Sequence, residues 1–284
     1  MRQPSAKRPF VLLDGATGTE LARRGVLVDR PGWTAAAIRE APDTLAAVHR
    51  DYVAAGADVI TANTFRTHAA NTAPLGDDAA ALTREAVAIA RQAAGGARVF
   101  GSIAPLADCY DAAAVPSDNA LREQHTQHAD TLSAAGVDGM LIETMTTIRE
   151  AVIAAGAAVA VGSRPWVSVA IRPDGRLYSG ESLADAIAAA EDAGASHVLA
   201  NCFPASIGSQ LANVFAAQAT VPWGLFANTG LLDETGRWRD DGNTSPEAYA
   251  AHVAGWLTAG ATVVGGCCGT TPEHIRAIAS QVAH

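Results

Sequence analysis

At 284 residues the chain is long enough for two average domains, or for one α/β barrel, which runs to about 250 residues as a unit. Twenty basic residues against 29 acidic give a net charge of −9, which excludes a general nucleic-acid binder with a basic face for phosphates. A charged fraction of 17% beside 49% apolar residues excludes a disordered chain.

One rhythm runs through the chain: a short β-rich run, a polar or Gly-rich turn, then an alanine-rich helical stretch. Strands are predicted over 11–14, 58–62, 99–103, 139–143, 166–171, 197–202, 223–228 and 262–266. Helices are predicted over 44–55, with Asp43 as its N-cap, and over 77–94, 118–135, 147–161, 182–193, 206–219, 246–259 and 272–283. Four of them run into a Gly followed by a short turn into the next strand, at Gly56, Gly136, Gly194 and Gly260, where a left-handed residue re-aims the chain. Eight strand–helix units predict a parallel sheet, and eight is the number that closes a single (β/α)8 TIM barrel over residues 1–284; an open doubly wound sheet is the alternative. Apolar stretches are broken by Gly, Asp or Arg within about a dozen residues, short of the roughly 18 a membrane span needs. The basic, polar first ten residues and the short Val-Leu-Leu that follows make no signal segment. A cytoplasmic protein without a membrane partner is expected.

In a barrel, function sits where the strands end. Those ends carry Asp14, Asn63, Ser102, Glu143, Arg172, Asn201-Cys202, Asn228 and Cys267-Cys268. Vicinal cysteines close only a strained disulfide, whereas the glycines at 265, 266 and 269 permit a turn in which both bind metal. Taken alone, the pair reads equally as two small residues at a tight turn. Cys202, at a neighbouring strand end, completes a three-thiolate set suited to Zn²⁺ with a fourth position open. Cys109, alone in a longer loop, is expected to be an incidental thiol. Three anionic sulfurs make zinc a poor Lewis acid for water, while a bound substrate thiolate keeps its nucleophilicity, so the set points to alkyl transfer onto sulfur. A barrel hydrolase with the same zinc would need a general base, and no histidine stands at a strand end. A binding module with structural zinc would need a fourth fixed ligand.

The run GGCCGTTPEHI at 265–275 resembles the C-terminal zinc motif of the homocysteine S-methyltransferase family. DGATGTEL at 14–21, TANTF at 61–65, IET at 142–144, ANC at 200–202 and ANTG at 227–230 are similar to that family's other strand-end motifs, in order, so the likeness spans nearly the whole chain. The resemblance implies a (β/α)8 barrel that methylates L-homocysteine to methionine, with zinc on Cys202, Cys267 and Cys268. It also implies Asp14 and Glu143 near the substrate ammonium, Thr17 and the backbone around it near the carboxylate, and Asn228 near the sulfur site. Each of these has a structural alternative, as a buried turn cap or loop support, and Asn63 reads as a strand-end support as readily as a catalytic group.

Departures from the family pattern fall where the methyl donor would sit. No Pro follows the Glu-Thr pair at 143–144, Tyr110 is the only aromatic of the loop after the third strand, and Gly269 stands where some members have Arg. A sulfonium donor, S-methylmethionine before S-adenosylmethionine, is expected, with betaine third because a cage for its quaternary nitrogen needs aromatics. Related methionine synthases attach folate and cobalamin domains for which 284 residues leave no room, so free methyltetrahydrofolate is not expected. The polar stretch 233–243 reads as a solvated excursion or a lid, and Trp238 within it could face the donor. His125 and His128, away from the mouth, are expected at the surface.

Overall fold

The computed structural model describes residues 8–28, 32–232, 238–240 and 245–281. Its strands are β1 (Val11–Leu12), β2 (Val59–Ala62), β3 (Arg98–Ile103), β4 (Gly139–Met145), β5 (Trp166–Ala170), β6 (His197–Pro204), β7 (Trp223–Asn228), β8 (Gly230–Leu232), β9 (Trp238–Asp240) and β10 (Val263–Gly266). Eight of them form one parallel sheet in the order β1-β10-β7-β6-β5-β4-β3-β2. The sheet closes between its end strands: Asp58 donates its N–H to the carbonyl of Leu12 at 2.7 Å, and Asp14 donates to that of Val59 at 3.0 Å. Strands β8 and β9 pair antiparallel in a separate two-stranded sheet, an addition to the eight expected strands. The expected (β/α)8 barrel is the fold.

The helices are α1 (Thr17–Arg23), α2 (Ala37–Glu40), α3 (Pro42–Ala55), α4 (Ala69–Thr72), α5 (Ala79–Ala93), α6 (Asp118–Ala134), α7 (Ile148–Ala160), α8 (Leu183–Asp192), α9 (Gly208–Gln218), α10 (Pro246–Thr258) and α11 (Pro272–Ser280). Side-chain caps start many of the outer ones: Asp78, Thr147, Ser182 and Ser245 each accept an N–H from the first turn. Asp43 is not the cap of α3; that helix starts one residue earlier at Pro42, whose fixed φ suits the first turn, and Asp43 lies inside it. The four re-aiming glycines behave as read, with φ between +75° and +111°.

Two apolar layers hold the barrel. Inside, each strand region sends one residue to the axis: Leu13, Val59, Phe100, Leu141, Trp166, Leu199, Phe226 and Val263. Outside, the alanine faces of the helices lie on the sheet, the reason a chain with so little aromatic content still builds a large core. This axial layer separates the mouth at the strand ends, where barrels carry their sites, from a second cavity at the strand starts lined by Arg98, Trp166 and His197.

Candidate active site

The cysteine turn is built at the end of β10. Cys267 donates its N–H to Ala227 of β7 at 2.8 Å, and its carbonyl accepts both the hydroxyl and the N–H of Thr270, at 2.7 and 3.1 Å. The N–H of Cys268 is received by Oδ1 of Asn228 at 3.1 Å, and Gly269, at φ +83°, donates to Oγ1 of Thr19. The turn is therefore tied to β7 and to α1. Gly266 cannot carry a side chain here, since a Cβ would sit 2.3 Å from Oγ1 of Thr270. Cys202 arrives from β6 where the register shifts between Asn201 and Pro204, and it takes φ +56°, a left-handed value costly for a residue with a Cβ. These bends bring the sulfurs of Cys202, Cys267 and Cys268 within 4.8 Å of one another, with 3.0 Å between the first two, and all three are free.

The three thiols share charge. Cys268 gives up its proton first, because the thiols of Cys202 and Cys267 donate to its sulfur. Hydrogen bonding within the cluster, burial and that neighbouring charge push Cys202 up. All three become thiolates together only against a cation, and three clustered sulfurs, Cys202 buried and Cys267 and Cys268 half-buried, fit a soft dication in tetrahedral ligation.

A cavity of about 560 Å³ opens over the sulfurs and is lined by Asp14, Thr17, Glu143 and all three cysteines. Asp14 is buried, its carboxylate accepting the N–H of Thr61 at 2.8 Å and the hydroxyl of Thr61 at 3.1 Å. Burial pushes its pKa up to about 8 despite those bonds, and the nearby Glu143 adds to the rise. Glu143 accepts the hydroxyl of Ser102 at 2.5 Å, and burial pushes it up to about 7. Two carboxyl groups short of solvent and of cations are placed to gain from an arriving ammonium. Asn228 faces the Cys268 turn as described. Asn63 exchanges two hydrogen bonds with Thr34, at 2.7 and 2.8 Å.

That Asn63–Thr34 tie fixes a feature the sequence reading missed. It anchors the segment beside Trp33, whose ring meets Phe65 edge-on at 5.4 Å and lines the cavity with Phe65 and Tyr110. Gly18 makes room, since a Cβ there would fall 2.4 Å from the indole. Trp33 went unseen because it lies outside every strand end, in an excursion between α1 and α3. Behind Tyr110 stands Tyr178, ring to ring at 5.4 Å. Asn201 and Ser102 were also unassigned, although both belong to strand-end motifs. Cys109 lines the same cavity, and burial holds its thiol up at about 11. The side chain of Trp238 and most of 233–243 lie outside the described residues.

His125 and His128 are not at the surface; they are 1% and 5% exposed. α6 turns both inward: His125 meets Glu150 at 3.1 Å, and His128 donates through Nε2 to the carbonyl of Ser102. Burial holds His128 down at about 4.

A pH dependence follows from the raised carboxyls. The folded chain holds the Asp14 proton between pH 3.8 and about 8 while the unfolded chain has lost it, so the unfolding free energy falls as pH rises through that window. The buried His49 and His128, both held down at about 4, work oppositely, favouring the fold as pH rises from 4 to 6.5. The metal-free, ligand-free protein should thus lose stability from pH 6 to pH 8, with about 2 kcal/mol of the loss due to Asp14. Urea unfolding at the two pH values checks this, and Asp14→Asn should flatten the decline.

The model of the homocysteine S-methyltransferase family matches residues 11–282. The chain belongs to this family. It is 30% identical to the homocysteine S-methyltransferase of Escherichia coli, covering 97% of this chain and 96% of that one. A solved structure of the Escherichia coli homocysteine methyltransferase in its metallated form superposes with a TM-score of 0.84 at 28% identity, covering 97% of each chain. A methionine synthase of Mycobacterium leprae is 29% identical over 95% of this chain, but the chain spans only 24% of that protein's length. A carboxyl transferase domain of Rhizobium etli pyruvate carboxylase, at 15% identity and a TM-score of 0.54, shares the fold alone.

Proposed function

We propose that the protein transfers a methyl group from a sulfonium donor, S-methylmethionine first and S-adenosylmethionine second, to the sulfur of L-homocysteine, giving methionine. The observation that carries this is the three-thiol cluster opening onto the same cavity as Asp14 and Glu143. Zn²⁺ is the ion that suits Cys202, Cys267 and Cys268, and when bound it keeps an incoming thiol ionised at neutral pH. Asp14 and Glu143 accept the substrate ammonium as their protons leave. Thr17, on the cavity wall at the start of α1, offers its hydroxyl to the substrate carboxylate. Asn228 holds the Cys268 turn and so fixes where the acceptor sulfur sits. One domain over residues 1–284 suffices for this chemistry.

The donor lies against Trp33, Phe65 and Tyr110, whose faces attract a cationic methyl carrier. Arg66, with its guanidinium 5.1 Å from the Phe65 ring centre, supplies a counter-charge for a donor carboxylate. In the transfer one S–CH₃ bond forms and one breaks. The electron pair of the broken bond stays on the donor sulfur, which leaves as a neutral sulfide and needs no acid. The residues around the cavity position the two sulfurs in line and exclude water.

Because Trp33 joins the wall, aromatic count no longer separates betaine from a sulfonium, and leaving-group quality carries the donor order. Incubation of homocysteine with S-methylmethionine, S-adenosylmethionine or betaine at equal concentration, with zinc and a reductant, tests it, with methyl transfer counted as homocysteine consumed because S-methylmethionine itself leaves as methionine. The expected consumption falls in that order. Faster transfer from betaine would overturn the donor order, and no homocysteine consumed with any of the three would overturn the reaction.

A further inference from the structure

The carboxamide of Asn201 bridges two strand ends beside the sulfurs. The residue is fully buried. Its Oδ1 accepts the backbone N–H of Thr144 at 3.1 Å and the hydroxyl of Ser168 at 2.7 Å. A backbone N–H only donates, so this bond fixes which end of the carboxamide is oxygen. Nδ2 therefore faces Oγ1 of Thr144 at 2.8 Å, Sγ of Cys202 at 3.5 Å and Sγ of Cys267 at 3.8 Å. Two N–H donors serve three acceptors, and two of those acceptors are sulfurs of the cluster.

The backbone on both sides is bent to make this contact. Thr144 takes φ +62°, a value that β-branched residues rarely adopt, and Cys202 takes φ +56°. The pairing register shifts at the same places, between Ile142 and Met145 in β4 and between Asn201 and Pro204 in β6. Regular strands would point the Thr144 N–H and the Cys202 sulfur elsewhere. The two bends meet at one carboxamide, and the residue before Thr144 is Glu143.

We infer that Asn201 is a positioning residue for the metal ligands: its Nδ2 donates to the thiolates of Cys202 and Cys267, setting their spacing and drawing off part of their charge. The inference rests on the reading of the three cysteines as a metal set. Three thiolates on one dication leave the site net negative, which opposes a fourth, anionic sulfur. Hydrogen bonds to two of the three offset that charge while leaving the ligands in place. The same carboxamide ties Thr144, and so the backbone of Glu143, to the sulfurs.

The test uses the whole protein loaded with cadmium-113 or cobalt(II). In the parent protein, cadmium loading should shift the Asn201 side-chain ¹⁵N–¹H signals and split them by coupling across the N–H···S contact. Asn201→Asp keeps an acceptor for Thr144 and Ser168 but replaces the amide donors facing sulfur. In that variant metal affinity, read by chelator competition, should fall about 10–100-fold, and the sulfur-to-cobalt absorption band should move. Unmoved Asn201 side-chain signals in cadmium-loaded parent protein would overturn the inference, and so would parent affinity with an unmoved band in the variant. If the variant does not fold, the parent signals decide alone. Full metal retention by Cys268→Ser would instead overturn the metal reading itself, which keeps the two failures apart.

Discussion

Replacing Cys268 or Cys202 by Ser should empty the protein of metal and abolish methyl transfer, while Cys109→Ser should keep the metal. The parent protein should hold about one Zn²⁺ per chain, one for each three-cysteine set. Cys202 and Cys268 belong to the group whose sulfurs lie within 4.8 Å of one another, and among the described residues Cys109 is not part of that group. A serine hydroxyl does not ionise at neutral pH, so two thiolates remain where three are needed. Elemental analysis of the purified variants, with circular dichroism to show that they fold, makes the comparison. Full zinc in the Cys268 variant would remove the basis of the assignment.

Glu143→Gln should weaken homocysteine far more than metal. The carboxylate is the charged partner proposed for the substrate ammonium, and losing one charged hydrogen bond costs roughly 1.5–3 kcal/mol, or about 10–150-fold in affinity. Glutamine can still accept from Ser102, so the local structure should survive the change. The pH profile adds a second readout. In the free protein the Glu143 carboxyl is raised to about 7, so below that pH it is neutral and pairs poorly with an ammonium. Homocysteine affinity should therefore rise with pH through about 7 in the parent and lose that limb in the variant. Unchanged affinity in a folded Gln variant would make Glu143 a structural residue.

The alternation of strands and helices was legible because parallel strands buried on both faces read as short apolar runs, and each Gly-ended helix marks the next strand. The strand-end motifs told where the cysteines would meet, since a barrel brings its strand ends to one mouth whatever lies between them. Trp33 was illegible for the converse reason: it sits in an irregular segment whose path is set by the Asn63–Thr34 bonds and the bare surface of Gly18, both long-range facts. The bends at Thr144 and Cys202 left no local signal, because neither residue is a glycine. His125 and His128 misled through their polarity. On a helix with so little apolar content, the face turned to the barrel carries histidines whose nitrogens find Glu150 and Ser102 inside.

X-ray absorption at the zinc edge, with and without homocysteine, bears most directly on a metal-held acceptor sulfur. The count of sulfur neighbours should rise from three to four when homocysteine is added to the parent protein, and should stay at three with homoserine, which has oxygen in place of that sulfur. An unchanged sulfur count with saturating homocysteine would contradict the account, because the acceptor would then be methylated, if at all, away from the three cysteines.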